Sequence, residues 1–370
     1  MGRDYRILVL GGYGHFGGRI GRALAHDATL IIAGRDGVKA NVAARILGAR
    51  HEGVALDHTA TDLAARLRAL RAATVIHTCG PFQGQNYHVA QACIAAGAHY
   101  VDLADGRAFV ADIAGLDGAA RERGVLVTSG ASTLPALSSA VIDEHRAHFS
   151  RLDNIDISIA PGQQTPRGVA TLQAVLSYCG KPFDAWEQGR WQTVHGWQGL
   201  HRFRYPDFGA RWLARCDVPD LQLFPARYAG VRRVRFDAGL ELAVAQGAFW
   251  LLAGMVRAGW VGNASHFAGL MCKLGPCFDW MGSDTGGMHV GLGGLDREGR
   301  AARIDWHLLA RRAHGPEIPC LPAIVIARKL AAGVLTTRGA MPCMGLMSLG
   351  EFAEAVTAAQ LDISWRTVFL

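Results

Sequence analysis

Six short apolar runs punctuate the first 130 residues, at 6–10, 29–33, 53–56, 74–79, 99–103 and 125–129. They are continuous rather than alternating, as strands covered on both faces are. Between them apolar positions recur at helical spacing: Phe16, Ile20 and Leu24; Leu63, Leu67 and Leu70; Phe109, Ile113 and Leu116. This alternation predicts an α/β architecture with a Rossmann-type doubly wound parallel sheet. Right-handed crossovers then place any ligand at the carboxyl ends of the strands.

Near residue 151 the period changes. Residues 152–160 alternate apolar and polar, which predicts a half-exposed strand, and 286–300 with 303–307 predicts a hairpin turning at 296–299. A second α+β domain with an open mixed sheet follows from these. Helices are expected at 319–332, carrying Leu321, Ile324, Val325 and Leu330, and at 352–359. The expected division is 1–135 for a nucleotide-binding domain, 136–317 for a substrate and dimerisation domain, and 318–370 for helices returning to the first. Such a return makes a cleft between the domains, the usual place for a small-molecule substrate.

Composition narrows the classes. The chain has 370 residues, half of them hydrophobic and 19% charged, which is globular and long enough for two domains. A net charge of +7 favours an anionic ligand. The densest basic run, Arg232-Arg233-Val234-Arg235, lacks interleaved aromatics and alternates like a strand, so nucleic acid is not expected. The eight cysteines form no CxxC pair, and Cys272 with Cys277 has no second pair to complete a zinc site. No metal is expected, and free thiols in a reducing cytoplasm are. A strand within five residues of Met1 leaves no room for a signal peptide, and Arg6 replaces the Ser or Thr that a myristoylated Gly2 would need. The apolar stretch 240–261 is interrupted by Glu241, Gln246 and Arg257. It predicts a buried or subunit-interface helix rather than stable membrane insertion, and with it a homodimer.

Chemistry enters with the turn after the first strand. Gly11-Gly12-Tyr13-Gly14-His15-Phe16-Gly17 contains GxGxxG between a predicted strand and helix, the context that gives this spacing its meaning. Gly12 makes the tight turn, Gly14 lets the backbone approach a pyrophosphate, Gly17 lets helix and strand pack closely, and His15 and Phe16 lie in the same loop. After the second strand, Gly34 and Arg35 stand where an NAD site would place an acid. Gly34 makes space and Arg35 offers a fork of donors to a 2′-phosphate, so NADP is expected over NAD, with Asp36 as the counter-argument. Asp57 either borders the adenine or caps a helix beginning near Thr59. Cys79, Gly80, Pro81 and Phe82 should border the nicotinamide. Cys79 is a candidate nucleophile or a buried thiol facing the cofactor.

Together with Val89–Leu103, Gly130–Pro135, Gly339–Pro342 and Leu349–Phe352, these motifs resemble the saccharopine dehydrogenase-like family. That family includes saccharopine reductase, carboxynorspermidine dehydrogenase, homospermidine synthase and trans-acting enoyl reductases. The resemblance covers the whole first domain and continues more loosely beyond it. It implies NAD(P) dependence and C-terminal helices packed on the Rossmann domain. The Thr78–Phe82 stretch is closer to the enoyl reductase branch, while the central segment matches no branch, so the substrate stays open.

Candidate catalytic groups are Asp102 and His289, as acid or base, with Cys79. Arg167, in the loop 161–168, would grip a substrate carboxylate, and Asp105 either contacts substrate or caps the helix starting near Ala108. Tryptophans 186, 191, 197, 212, 250, 260 and 280 would line an apolar pocket or pack a core. The leading expectation is an NADP-dependent reductase of a C=N bond. A C=C reductase, a non-catalytic NADP-binding sensor, and a membrane-surface protein using 240–261 are the alternatives.

Overall fold

The computed structural model describes residues 5–370, so Met1 and Gly2 lie outside the described residues. The chain divides into two units, residues 1–137 with 317–359, and 138–316 with 360–370.

The first unit carries a seven-stranded parallel sheet. Its strands are β1 (Arg6–Leu10), β2 (Thr29–Gly34), β3 (Glu52–Ala55), β4 (Thr74–His77), β5 (His99–Asp102), β6 (Leu126–Ser129) and, much later in the chain, β15 (Gly339–Pro342). The order β3-β2-β1-β4-β5-β6-β15 reverses direction between β1 and β4, which is the switch point of a doubly wound sheet. Residues 7–10, 30–33, 75–76, 100–101 and 126–127 are buried on both faces, which is why these strands read as continuous apolar runs. Helices α1 (Gly17–Leu24) and α2 (Gly37–Leu47) follow β1 and β2.

Two boundaries differ from expectation. β4 ends at His77 rather than 79; Thr78 is still tied to β1, its N–H and hydroxyl both donating to the Leu10 carbonyl, at 2.9 and 2.8 Å. The segment 339–342 is a strand rather than a link between helices. Gly339 sits at φ +115°, and a Cβ there would meet the Asp117 carboxylate; that carboxylate accepts the Ala340 N–H and fixes the strand beside β6.

The second unit is built on a mixed sheet. Its strands are β7 (Phe149–Ala160), β8 (Pro182–Glu187), β9 (Arg190–His195), β10 (His201–Tyr205), β11 (Gly209–Arg215), β12 (Arg233–Ala238), β13 (Gly286–Asp296), β14 (Ala301–Ala310) and β16 (Ile363–Phe369). The order is β10-β11-β12-β7-β13-β14-β16, with the β8–β9 hairpin attached to β12. Only β12 and β7 run parallel within it. The alternating run expected at 152–160 is the central strand β7, and the expected hairpin is β13–β14. The last residues depart from expectation. Instead of ending in helices, residues 363–369 pair antiparallel with β14 and return the chain to the second unit. Among the described residues no helix is long and apolar enough to cross a membrane.

Candidate functional site

Four glycines build the loop after β1, and three of them, Gly11, Gly12 and Gly17, leave no room for a side chain. Gly11 has φ +81°, and its Cβ would meet Thr78 Oγ1 at 2.7 Å. A Cβ at Gly12 would lie 2.8 Å from the Val9 carbonyl, and one at Gly17 only 2.3 Å from the Gly11 carbonyl. Gly14 is exposed and donates its N–H to the Gly11 carbonyl at 2.8 Å. The positive φ therefore falls on Gly11, not on Gly12 as the GxGxxG reading expects; glycines 11, 14 and 17 form an overlapping GxxGxxG that carries the same signal. The N–H groups of Gly11 and Gly12 both donate to the Ala33 carbonyl, at 2.8 and 3.1 Å, binding the loop to β2.

α1 begins at Gly17 with no capping side chain and no acid in its first turn. The Gly18 N–H already donates to the Gly14 carbonyl at 3.0 Å; the uncapped dipole of α1 still favours an anion here, and the glycine cradle is compatible with a dinucleotide pyrophosphate. His15 sits beside it, edge-on to Phe16 at 4.9 Å. Burial, then the Arg19 charge, lowers the imidazole to about 4, so it is neutral at pH 7 and adds no cation. Arg19 donates to the His15 carbonyl at 2.6 Å and pairs with Glu317 at 2.9 Å.

At the ribose end the geometry corrects one expectation. Gly34 does not leave empty space: a Cβ there would fall 2.5 Å from the Tyr13 ring, which lies over it. The Tyr13 hydroxyl accepts the Asp36 N–H at 3.0 Å. The Asp36 carboxylate in turn accepts the Lys39 N–H at 3.1 Å, capping α2, and pairs with Lys39 Nζ at 3.4 Å. The Lys39 N–H is the main reason this carboxyl sits below its ordinary range. Arg35 is exposed, directly after β2. Asp57 accepts from both the N–H and the hydroxyl of Thr59, each at 2.9 Å. It closes a local turn rather than capping a helix, since the next helix starts at Leu63.

Beyond the switch point, Gln85 Nε2 donates to the carbonyls of Cys79 and Pro81, both at 2.7 Å, and pins the loop that includes Gly80. Burial pushes the Cys79 thiol up to about 12, so it is protonated at neutral pH and lacks the thiolate a nucleophile needs. Phe82 is buried between His77 (5.1 Å) and Phe109 (5.3 Å), so it supports the loop from within instead of forming an open wall.

Asp102 has no exposed surface. Its Oδ1 accepts the N–H groups of Ala104 (2.9 Å) and Gly130 (2.8 Å) and the Ser129 hydroxyl (2.9 Å), joining the loops after β5 and β6. Burial raises its carboxyl to about 6 against those bonds. This is a positioning residue. Asp105 accepts from Gln83 Nε2 at 3.1 Å, and burial raises its carboxyl too. The helix that follows it has no side-chain cap.

Two candidates lie in the second unit. His289 is buried in β13, its Nε2 2.7 Å from Asp305, with His307 stacked on it at 4.8 Å. Asp305 is gripped from its other side by Arg303, and both partners hold its carboxyl down to about 2, against the opposing effect of burial. Arg167 does not present an open guanidinium. It donates to the Gln163 carbonyl and faces Asp279 at 3.7 Å, so its charge is already answered. The tryptophans do not form one set: Trp197 is buried against Phe249, Trp186 and Trp191 pair across a hairpin at 5.0 Å, and Trp260 and Trp280 are each 81% exposed.

A glycine cradle opening on the uncapped end of α1, at the switch point of a parallel sheet, defines a dinucleotide-binding domain. Residues 7–148 match the family described as the saccharopine dehydrogenase NADP binding domain. The first unit therefore carries an NADP-binding domain of the saccharopine dehydrogenase type, and the match ends at residue 148. Its fold is similar to that of apo saccharopine dehydrogenase (L-Glu forming) from Saccharomyces cerevisiae, with a TM-score of 0.69 and 13% identity over 99% of this chain and 100% of that one. It is also similar to the homospermidine synthase of Legionella pneumophila in complex with NAD, with a TM-score of 0.60 and 8% identity over 99% of this chain and 92% of that one. A comparison with curated protein sequences gave no match.

Proposed function

We propose that the protein is an NADP-dependent reductase that delivers a hydride to a C=N bond of an amino-acid- or amine-derived substrate. The turn after β2 carries the cofactor half of this reading. Its one carboxylate, Asp36, is engaged as the cap of α2 and as the partner of Lys39, while Arg35 stands exposed beside it. A planar guanidinium answers a 2′-phosphate, whereas an acid in that place would answer a ribose diol. Bound as NADPH, the cofactor supplies the hydride. The chain supplies the glycine loop and the amides of α1 for the pyrophosphate, the Arg35 fork for the 2′-phosphate, and a loop at 79–81 held rigid by Gln85. The proton comes from water.

Two structural relatives named for saccharopine and homospermidine support the C=N half. The likeness of Thr78–Phe82 to the enoyl reductase branch supports an activated C=C bond as the second reading.

Titration of the purified chain with NADPH and NADH tests the cofactor choice. We expect tighter binding of NADPH by about tenfold or more, largely lost in Arg35→Ala, as a charge-assisted contact of about 1.5–3 kcal/mol requires. Equal affinities in the wild type would overturn the NADP reading. NADPH oxidation is then followed with imines formed from 2-oxo acids and amines, and separately with enoyl thioesters. Turnover of imines alone supports C=N reduction, turnover of thioesters alone replaces it, and binding without any turnover favours a sensor.

A further inference from the structure

The helix Ala243–Arg257 is inverted for a surface helix. Its one uncharged polar side chain, Gln246, is fully buried and accepts the Leu240 N–H at 2.8 Å. Phe249, Leu252 and Ala253 share that buried side. On the exposed side Val244, Ala248 and Leu251 recur at helical spacing with no polar group among them. The chain continues in the same way: Phe267, Leu270 and Leu274 are exposed at helical spacing, followed by Phe278, Trp280 and Met281, while Trp260 stands between the two stretches.

Charge is as unusual as polarity here. From Ala243 to Ser283 only three of 41 residues are Asp, Glu, Lys or Arg, against 19% of the whole chain. The single acid, Asp279, is held by Arg167 at 3.7 Å and by Gln163 Nε2 at 3.0 Å. The two exposed charges are both cations, Arg257 and Lys273. The helix Val169–Ser177, packed on this segment, adds no charge.

We propose that residues 243–281 dock the protein on the interface of an anionic lipid bilayer. Exposed tryptophans with apolar neighbours suit the boundary between headgroups and acyl chains, and isolated cations among them suit anionic headgroups. Charge complementarity separates this occupant from a second copy of the chain. A two-fold pairing of the segment on itself would bring together two pairs of cations and a single kind of acid, Asp279, which Arg167 and Gln163 already engage. No described helix is long enough to span, so the segment lies in the interface and does not cross it. This inference is independent of the reaction proposed above.

The test is co-sedimentation of the full chain with phosphatidylcholine vesicles made with and without phosphatidylserine. Binding is expected with phosphatidylserine and is expected to weaken as salt is raised. The double variant Trp260→Ser/Trp280→Ser should lower the partition coefficient by about tenfold or more, and Arg257→Glu/Lys273→Glu should remove the dependence on phosphatidylserine. Both variants alter exposed side chains and should titrate with NADPH like the wild type, which separates lost docking from lost folding. Wild type left in the supernatant with both vesicles, or Trp260→Ser/Trp280→Ser pelleting like wild type, would overturn the proposal. A dimer seen by light scattering that Trp260→Ser/Trp280→Ser dissociates would also overturn it, in favour of a second copy.

Discussion

Gly17→Ala is expected to abolish useful cofactor binding while leaving the second unit folded. The added methyl would stand 2.3 Å from the Gly11 carbonyl oxygen and 2.8 Å from the Gly12 Cα, both backbone atoms that cannot swing aside. α1 would have to lift off the glycine loop, and the amides at its N-terminus would move with it. Overpacking of this kind costs about 1–3 kcal/mol in stability. Displacing the anion site should weaken NADPH and NADH alike by about a hundredfold or more, the equivalent of roughly 2.7 kcal/mol. Calorimetric titration beside a thermal melt checks both. Unchanged affinity with a small melting shift would show that the loop tolerates a side chain and that the phosphates bind elsewhere. The effect differs in kind from Arg35→Ala, which should discriminate between the two cofactors.

Asp102→Ala should be the most damaging single change in the first unit outside the glycine loop. It leaves the Ala104 and Gly130 amides and the Ser129 hydroxyl without an acceptor in a place water does not reach. A loss of about 3 kcal/mol or more follows from bonds to a buried carboxylate. For a unit of this size that lowers the melting temperature by about 6–12 °C. pH adds a second readout. The carboxyl is raised from an ordinary 3.8 to about 6, so between those values the folded state holds the proton that the unfolded chain has released. Its contribution to stability is complete below the lower value and is lost as pH rises through the upper one. Asp102→Asn cannot titrate, so its melting temperature should gain on the wild type between about pH 4 and about pH 7. A constant difference across that range would show that Asp102 is ionised throughout.

The parallel sheet was legible in the sequence because strands covered on both faces leave apolar runs that nothing else explains. Recognition of the glycine loop was equally local, since its strand, turn and helix occupy nineteen consecutive residues. What escaped depends on meetings across the chain. The run 363–369 contains Ile363, Trp365 and Val368, but its strand identity comes from β14, some sixty residues earlier. The four residues of β15 are too few to show any period. Tyr13 reads as a variable position of the fingerprint, and only the fold lays its ring on Gly34 and its hydroxyl on Asp36. Arg167 reads as an open cation in a polar loop until Asp279 is brought beside it. Asp102 was legible as a functional acid by its place at a strand end, yet its three partners fix it as a structural one.

The chain passes between the two units three times, after residues 137, 316 and 359. During synthesis this order imposes a wait. When residue 137 leaves the ribosome, β6 is an edge of an unfinished sheet, and its neighbour β15 is still about two hundred residues from being made. At roughly 5–20 residues per second that delay is about 10–40 s. Over this interval the nascent first unit displays an unpaired parallel edge, the kind of surface that recruits foreign strands. The second unit in turn lacks its last strand until β16, some fifty residues beyond β14, pairs with it. Neither unit is therefore an N-terminal domain in the kinetic sense. Both are completed nearly together, once residues 339–369 have been made, which makes the nascent chain the stage most dependent on chaperones.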